Sequence, residues 1–133
     1  MERIIPRKSS VFITGATGFL GTQVARLILE HRQDPVILLV RGRDFSDARL
    51  RLERAWRDWP GMAGELGKRI RIVNGDLCLS KLGLSEAVYE ELAESVSHII
   101  HIAADIRLNE PLDDLRRINV EGVRNILELA GSI

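Results

Sequence analysis

The stretch VFITGATGFLG, Val11 to Gly21, decides how the rest of the chain is read. A β-branched and aromatic run, SVFIT, closes on Gly15, and a helical pattern follows from Gly18. Between the two, glycines recur at Gly15, Gly18 and Gly21, in the spacing G-x-x-G-x-x-G. Strand, glycine turn and helix in this order are what a pyrophosphate cradle requires. Gly15 is expected to make the tight turn, Gly18 to let phosphate approach the backbone, and Gly21 to pack the helix closely on a sheet. The anion would lie over helix amides that have no intrahelical partner, with Thr17, Phe19 and Leu20 completing the turn. The alternative is a structural turn that holds no ligand.

Outward from this motif, short apolar runs alternate with helical patterns. Leu20, Val24, Leu27 and Ile28 predict one apolar face of the first helix, and Asp34-Pro35 marks the turn after it. VILLV, residues 36–40, is apolar on both faces, as a buried parallel strand should be. Phe45, Ala48, Leu52, Ala55, Trp56 and Trp59 recur at helical spacing, with Asp44 or Ser46 as cap. WPGMAGELGK breaks that helix, and RIRIVNG predicts a third strand. SEAVYEELAES reads as a short helix capped by Ser85, and HIIHIAA as a fourth strand. Leu112, Leu115, Ile118, Val123, Ile126, Leu127 and Ala130 predict a final amphipathic helix. This alternation predicts an α/β fold, a Rossmann-type doubly wound parallel sheet in the order 3-2-1-4. Its crevice would open at the carboxyl ends of strands one and four.

The bulk composition narrows the function classes. The chain has 133 residues, 45% of them hydrophobic, which is one domain of ordinary size. Nineteen basic and 19 acidic residues cancel, so no overall field recruits nucleic acid or an acidic membrane surface. A single cysteine, Cys78, excludes an internal disulfide and fits a reducing, cytoplasmic setting. MERIIPRKSS lacks the apolar stretch of a signal peptide, and no run approaches a membrane span. His31, His98, His101 and Cys78 show no metal-ligand spacing. No nucleophile elbow is visible.

TGATGFLG resembles the extended short-chain dehydrogenase/reductase superfamily. LLVRGRD with DARLRL, NGDL before LGLSE, HIIHIAA, and EPLDDLRRINVEGVRNILELA follow in order. Together they resemble its fatty acyl reductase and thioester reductase branch, also called the male-sterility group, from about Val11 to Ala130. Ile102 stands where that branch usually has asparagine, and Val123 where it has threonine. The resemblance implies an NADP-dependent reductase of acyl thioesters held on coenzyme A or a carrier protein.

The residues themselves speak to cofactor choice. Arg41 lies 20 positions after Gly21, immediately after VILLV, where an acidic residue would favour NAD and an arginine accommodates a 2′-phosphate. NADP is therefore expected over NAD, with Asp44 the counter-candidate, better used as a cap. The resemblance adds Arg51 as a second phosphate partner. It also makes Asp76 the acceptor of the adenine amino group, with Leu77 beside it; a plain turn residue after Gly75 is the other reading of Asp76. Ala103 and Ala104 end the fourth strand, either to let the cofactor lie close or as core packing. Asn119 is given a structural role, and Trp56 and Trp59 a place in the core.

Short-chain reductases carry a Tyr-x-x-x-Lys pair. Tyr89 is the only tyrosine here and Ala93 stands where the lysine would be. No catalytic residue is therefore assigned, and the chain is expected to be the amino-terminal, cofactor-binding portion of a longer reductase. HIIHIAA, without lysine or proline, is expected to leave an edge through which an isolated chain associates with itself. The rival readings are an NAD-dependent nucleotide-sugar epimerase or dehydratase, and a non-enzymatic NADP sensor.

Overall fold

The computed structural model describes residues 9–103 and 111–133. Strands β1 (Ser10–Thr14), β2 (Val36–Val40), β3 (Ile70–Asn74) and β4 (Val96–His101) form one parallel sheet, in the order β3-β2-β1-β4. This is the doubly wound Rossmann arrangement that the sequence predicts. The order reverses between β1 and β4, where Thr14 pairs with His101, and the carboxyl ends there open the crevice.

Both inner strands are buried along their whole length, because helices cover both faces of the sheet. Helices α1 (Phe19–His31), α2 (Phe45–Ala55) and the single turn α3 (Pro60–Ala63) lie in the first half of the chain. Helices α4 (Glu86–Ser95), α5 (Leu112–Arg116) and α6 (Gly122–Ser132) lie in the second, the last two joined by a π-helical turn at Arg117–Glu121. Alternate strand residues feed two cores. Val11, Ile13, Val36, Leu38 and Val40 pack with Ala25, Leu52 and Trp56. Phe12, Ile37 and Leu39 pack with Leu92, Ile126 and Leu129.

β4 carries an irregularity that the sequence pattern does not announce. Ser10 pairs with Val96 but Val11 with His98, so Ser97 is an extra residue in the ladder. This bulge lets Val96 and Ile99, three apart, face the same core. The strand accordingly starts two residues before HIIHIAA.

Two caps stand as expected: Asp44 Oδ1 accepts from Asp47 N at 2.8 Å, and Ser85 Oγ from Val88 N at 3.3 Å. The predicted helix faces need correction. In α1 the buried residues are Gly21, Thr22, Ala25 and Ile28, whereas Leu20 and Leu27 are exposed. Ile28 is buried and Val24 packs on the core as expected, but small residues bring this helix close to the sheet, so the contact face is rotated away from Leu20 and Leu27. In the last helices Gly122, Ile126 and Leu129 are buried, while Leu112, Val123 and Leu127 are exposed. WPGMAGELGK breaks α2 but holds the one-turn α3. No described helix is long and apolar enough to cross a membrane, and no described cluster of His, Cys, Asp and Glu could hold a metal ion.

Candidate functional site

The three glycines of the turn have different reasons to be glycine. Gly15 has φ +80°, and a Cβ there would stand 2.7 Å from Ala103 N at the end of β4. A Cβ on Gly21 would fall 1.8 Å from Gly15 O, so α1 leaves the sheet closely only because position 21 has no side chain. Gly18 is unlike both. Its backbone is extended (φ −85°, ψ 173°), and a Cβ would meet only Gly15 O, at an ordinary 3.5 Å. Neither strain nor packing within the described protein requires glycine there.

The turn ends in open amides. Thr22 N donates to Gly18 O at 2.9 Å, the first bond of α1, so the N–H groups of Phe19, Leu20 and Gly21 precede it. Gly18 caps the helix without a side chain, and the first turn carries no acidic residue. Positive dipole and donors without a partner among the described residues therefore coincide at this end.

A buried brace fixes the turn's orientation. Ala16 O accepts from the indole Nε1 of Trp56 at 3.0 Å, and the Thr22 hydroxyl, with one proton to give, lies 3.0 Å from Ala16 O and 2.7 Å from Gly18 O. In a trans peptide the carbonyl and the following N–H point opposite ways, so Thr17 N–H is turned away from the core. Trp56 is fully buried, as its place in the core predicts, but its N–H gives it this second task.

A second clasp joins β1 to the end of β4. Thr14 Oγ1 accepts from Ile102 N at 3.1 Å and Ala103 N at 3.2 Å, and lies 2.7 Å from His101 Nδ1. Two accepted bonds fill the hydroxyl's lone pairs, so its proton goes to Nδ1 and the imidazole keeps its own on Nε2. Burial lowers the His101 pKa from its ordinary 6.5, in keeping with a neutral ring.

Beside the turn lies a cleft of about 320 Å³ at the carboxyl ends of the strands. Of the twelve residues singled out from the sequence, seven line it: Gly15, Thr17, Arg41, Arg51, Asp76, Leu77 and Ala103. Gly18, Phe19, Leu20 and Gly21 form the helix entry next to it, and Ala104 lies outside the described residues. Arg41 is exposed and makes no hydrogen bond or ion pair with the described residues. Arg51, four residues along α2 from Asp47, donates from Nε to Asp47 Oδ2 at 3.1 Å. Asp76 lines the cleft, and its Oδ1 accepts from Cys78 N at 2.9 Å in a local turn. Burial, with Asp76 alongside, raises the Cys78 thiol pKa, so the sulfur contributes a neutral wall. Tyr89 is buried between α4 and α6 and does not line the cleft.

Several residues that shape the cleft carry no signal in spacing alone. Gly42 N donates to Asn74 Oδ1 at 3.0 Å, tying the loop after β2 to the end of β3, and a Cβ on Gly42 would stand 2.5 Å from Ala48 N. Asn125 Nδ2 donates to Leu77 O at 2.6 Å and Leu79 O at 3.1 Å, anchoring the Asp76 loop to α6. A glycine and an asparagine, each just past or at a strand end, are the only hints the sequence offers for Gly42 and Asn74.

Comparison with known proteins agrees with this geometry. The family model described as "Male sterility protein" matches residues 13–133. D-lysergyl-peptide-synthetase subunit 3 of Claviceps purpurea is 37% identical over 124 residues, covering 91% of this chain and 8% of that protein. Among solved structures, the terminal R domain from the myxalamid PKS-NRPS biosynthetic pathway superposes with a TM-score of 0.83 at 30% identity, over 96% of this chain and 33% of that one. The reductase (R) domain of a non-ribosomal peptide synthetase from Mycobacterium tuberculosis gives 0.79 at 31% identity, over 94% and 31%. The chain thus spans under a tenth of that synthetase subunit and about a third of each R domain.

Proposed function

We propose a function from one premise: the chain belongs to the male sterility protein family. It supplies the NADP-binding portion of a reductase that acts on an acyl thioester held on coenzyme A or a carrier protein, a reading supported by its likeness to a reductase (R) domain of a non-ribosomal peptide synthetase. The single observation that carries the reading is the cleft itself, where Gly15 and Thr17 of the glycine turn meet Arg41, which has no ion pair among the described residues, with the helix-entry amides next to it.

The residues present fit the cofactor. Gly18 lacks a side chain that the protein has room for, which leaves space for pyrophosphate at the amides of Thr17, Phe19 and Leu20. Arg41 and Arg51 offer guanidinium groups to a 2′-phosphate, and Asp76 with Leu77 would receive the adenine. Ala103 keeps the end of β4 low beside the turn. The cleft volume is at the small end for ligand sites and suits one half of a dinucleotide. When bound, NADPH supplies the hydride that reduces the thioester carbonyl. This chain's part is to hold and orient it.

Tyr89 is buried in the α4–α6 core and does not line the cleft, so it is given no part in proton transfer. The domain is then the front of a larger Rossmann reductase, in a reducing cytosolic setting that its lone thiol suits. The test is NADPH oxidation by the full-length protein, offered an acylated carrier protein, an acyl-coenzyme A and UDP- or GDP-sugars. Turnover is expected with the carrier-bound thioester. Conversion of a sugar without net NADPH oxidation would make it an epimerase or dehydratase relative, whose dinucleotide returns to its starting state in each cycle, and NADPH binding with no conversion of any of them would make it a sensor.

A further inference from the structure

Arg41 and Arg51 reach the cleft on different supports. Arg41 follows β2 directly, whereas Arg51 stands in the second turn of α2 and is tethered at one atom only. That tether is Asp47, which is largely covered, its side chain 13% exposed. Asp47 Oδ2 receives two donors, Arg51 Nε at 3.1 Å and the backbone N–H of Arg43 at 2.9 Å. Its Oδ1 lies 3.6 Å from Arg43 Nη2. The backbone bond from Arg43, and then the charges of Arg51 and Arg43, hold the carboxyl below the usual aspartate range against some desolvation.

This arrangement has a directional consequence. A guanidinium held through Nε is fixed in its plane while both terminal nitrogens stay available, which is the fork that grips a phosphate. Those nitrogens have no partner among the described residues, and Arg51 lines the cleft. The Arg43 bond meanwhile pins the loop between Arg41 and α2. One carboxylate therefore fixes both supports of the two candidate phosphate ligands.

We propose that Asp47 is a positioning residue for 2′-phosphate recognition, acting through the Nε of Arg51 and the loop that carries Arg41. The proposal rests on the NADP reading above. It predicts the opposite of what charge alone would give: an acidic group next to a phosphate site should weaken binding, so removing it should tighten NADPH. Instead its loss frees Arg51 and the loop.

The experiment measures KM for NADPH and for NADH in the full-length protein, in Asp47→Ala, in Arg51→Ala and in the double variant. Asp47→Asn is included because it keeps an oxygen acceptor without the charge. Asp47→Ala is expected to raise KM for NADPH by about three- to tenfold, with KM for NADH and kcat nearly unchanged. Asp47→Asn should recover part of the loss. In the Arg51→Ala background the Asp47 substitution should have a smaller effect on the NADPH-to-NADH ratio. Equal changes for both cofactors would reduce Asp47 to a structural cap, and tighter NADPH would make it a repulsive charge; either result overturns the proposal. Failure of the underlying reading looks different, because the unsubstituted protein would then show no preference for NADPH at all.

Discussion

Two alanine substitutions, three residues apart, should fail in opposite ways. At Gly21 a Cβ would lie 1.8 Å from Gly15 O, far inside any tolerable contact, and the obstacle is backbone rather than a side chain that can swing aside. Overpacking of this kind costs about 1–3 kcal/mol, set against the roughly 1 kcal/mol that alanine gains over glycine inside a helix. Gly21→Ala should therefore lose stability, or pull α1 off the sheet and open the turn. At Gly18 the same methyl meets only Gly15 O at 3.5 Å, so its cost is the loss of a tolerated N-cap, about 1 kcal/mol at most. Its effect should fall on the ligand. Displacing phosphate from one charge-assisted amide bond costs about 1.5–3 kcal/mol, or roughly ten- to 150-fold in affinity. Urea unfolding and NADPH titration of both variants of the full-length protein separate these outcomes. Gly18→Ala that binds NADPH at the original affinity would refute the assignment of Gly18 to the ligand, and an undisturbed Gly21→Ala would refute the packing argument.

Trp56→Phe removes the indole donor to Ala16 O, and should cost about 1 kcal/mol of stability and up to about tenfold in NADPH affinity; a variant that loses stability but binds normally would confine Trp56 to the core. His101 has a folded pKa lowered by burial, so the unfolded chain takes up its proton first as pH falls. The stability this contributes is present above the unfolded value of 6.5 and is lost as pH falls through it towards the folded value. Urea midpoints on either side of that pH should show the loss, and His101→Gln should flatten it; an unchanged slope would remove His101 from the account. β4 has no partner on its outer edge among the described residues, so an isolated 133-residue chain should associate through it. Sedimentation velocity should show species larger than a monomer, reduced by His98→Lys on the exposed edge; a stable monomer would contradict this.

The sheet was legible because its evidence is local. Five consecutive apolar residues in VILLV, and a β-branched run closing on Gly15, have few alternatives to buried strands. The cap residues Asp44 and Ser85 were legible for the same reason. Which face each helix buries was not. Of the large apolar residues expected to face the core in α1, Ile28 is buried, but Gly21 and Ala25 set the rest of the contact, since close approach is decided by absence of side chain. The Ser97 bulge was hidden because an inserted residue leaves no trace in composition. Within the site, Arg41 and the glycines follow from their distance along the chain. Trp56, Asn74 and Asn125 act across 30 to 50 residues through single polar atoms, and only the fold brings those atoms to their carbonyls and amides.

The central claim is that this cleft recognises the 2′-phosphate of NADP, and Arg41 tests it most directly. NADP and NAD are titrated against the full-length protein and against Arg41→Ala, with binding followed by calorimetry. A charge-assisted arginine–phosphate contact of about 1.5–3 kcal/mol predicts NADP tighter by roughly ten- to 150-fold. Arg41→Ala should remove most of that preference by weakening NADP alone. Equal affinities for the two dinucleotides in the unsubstituted protein would contradict the account.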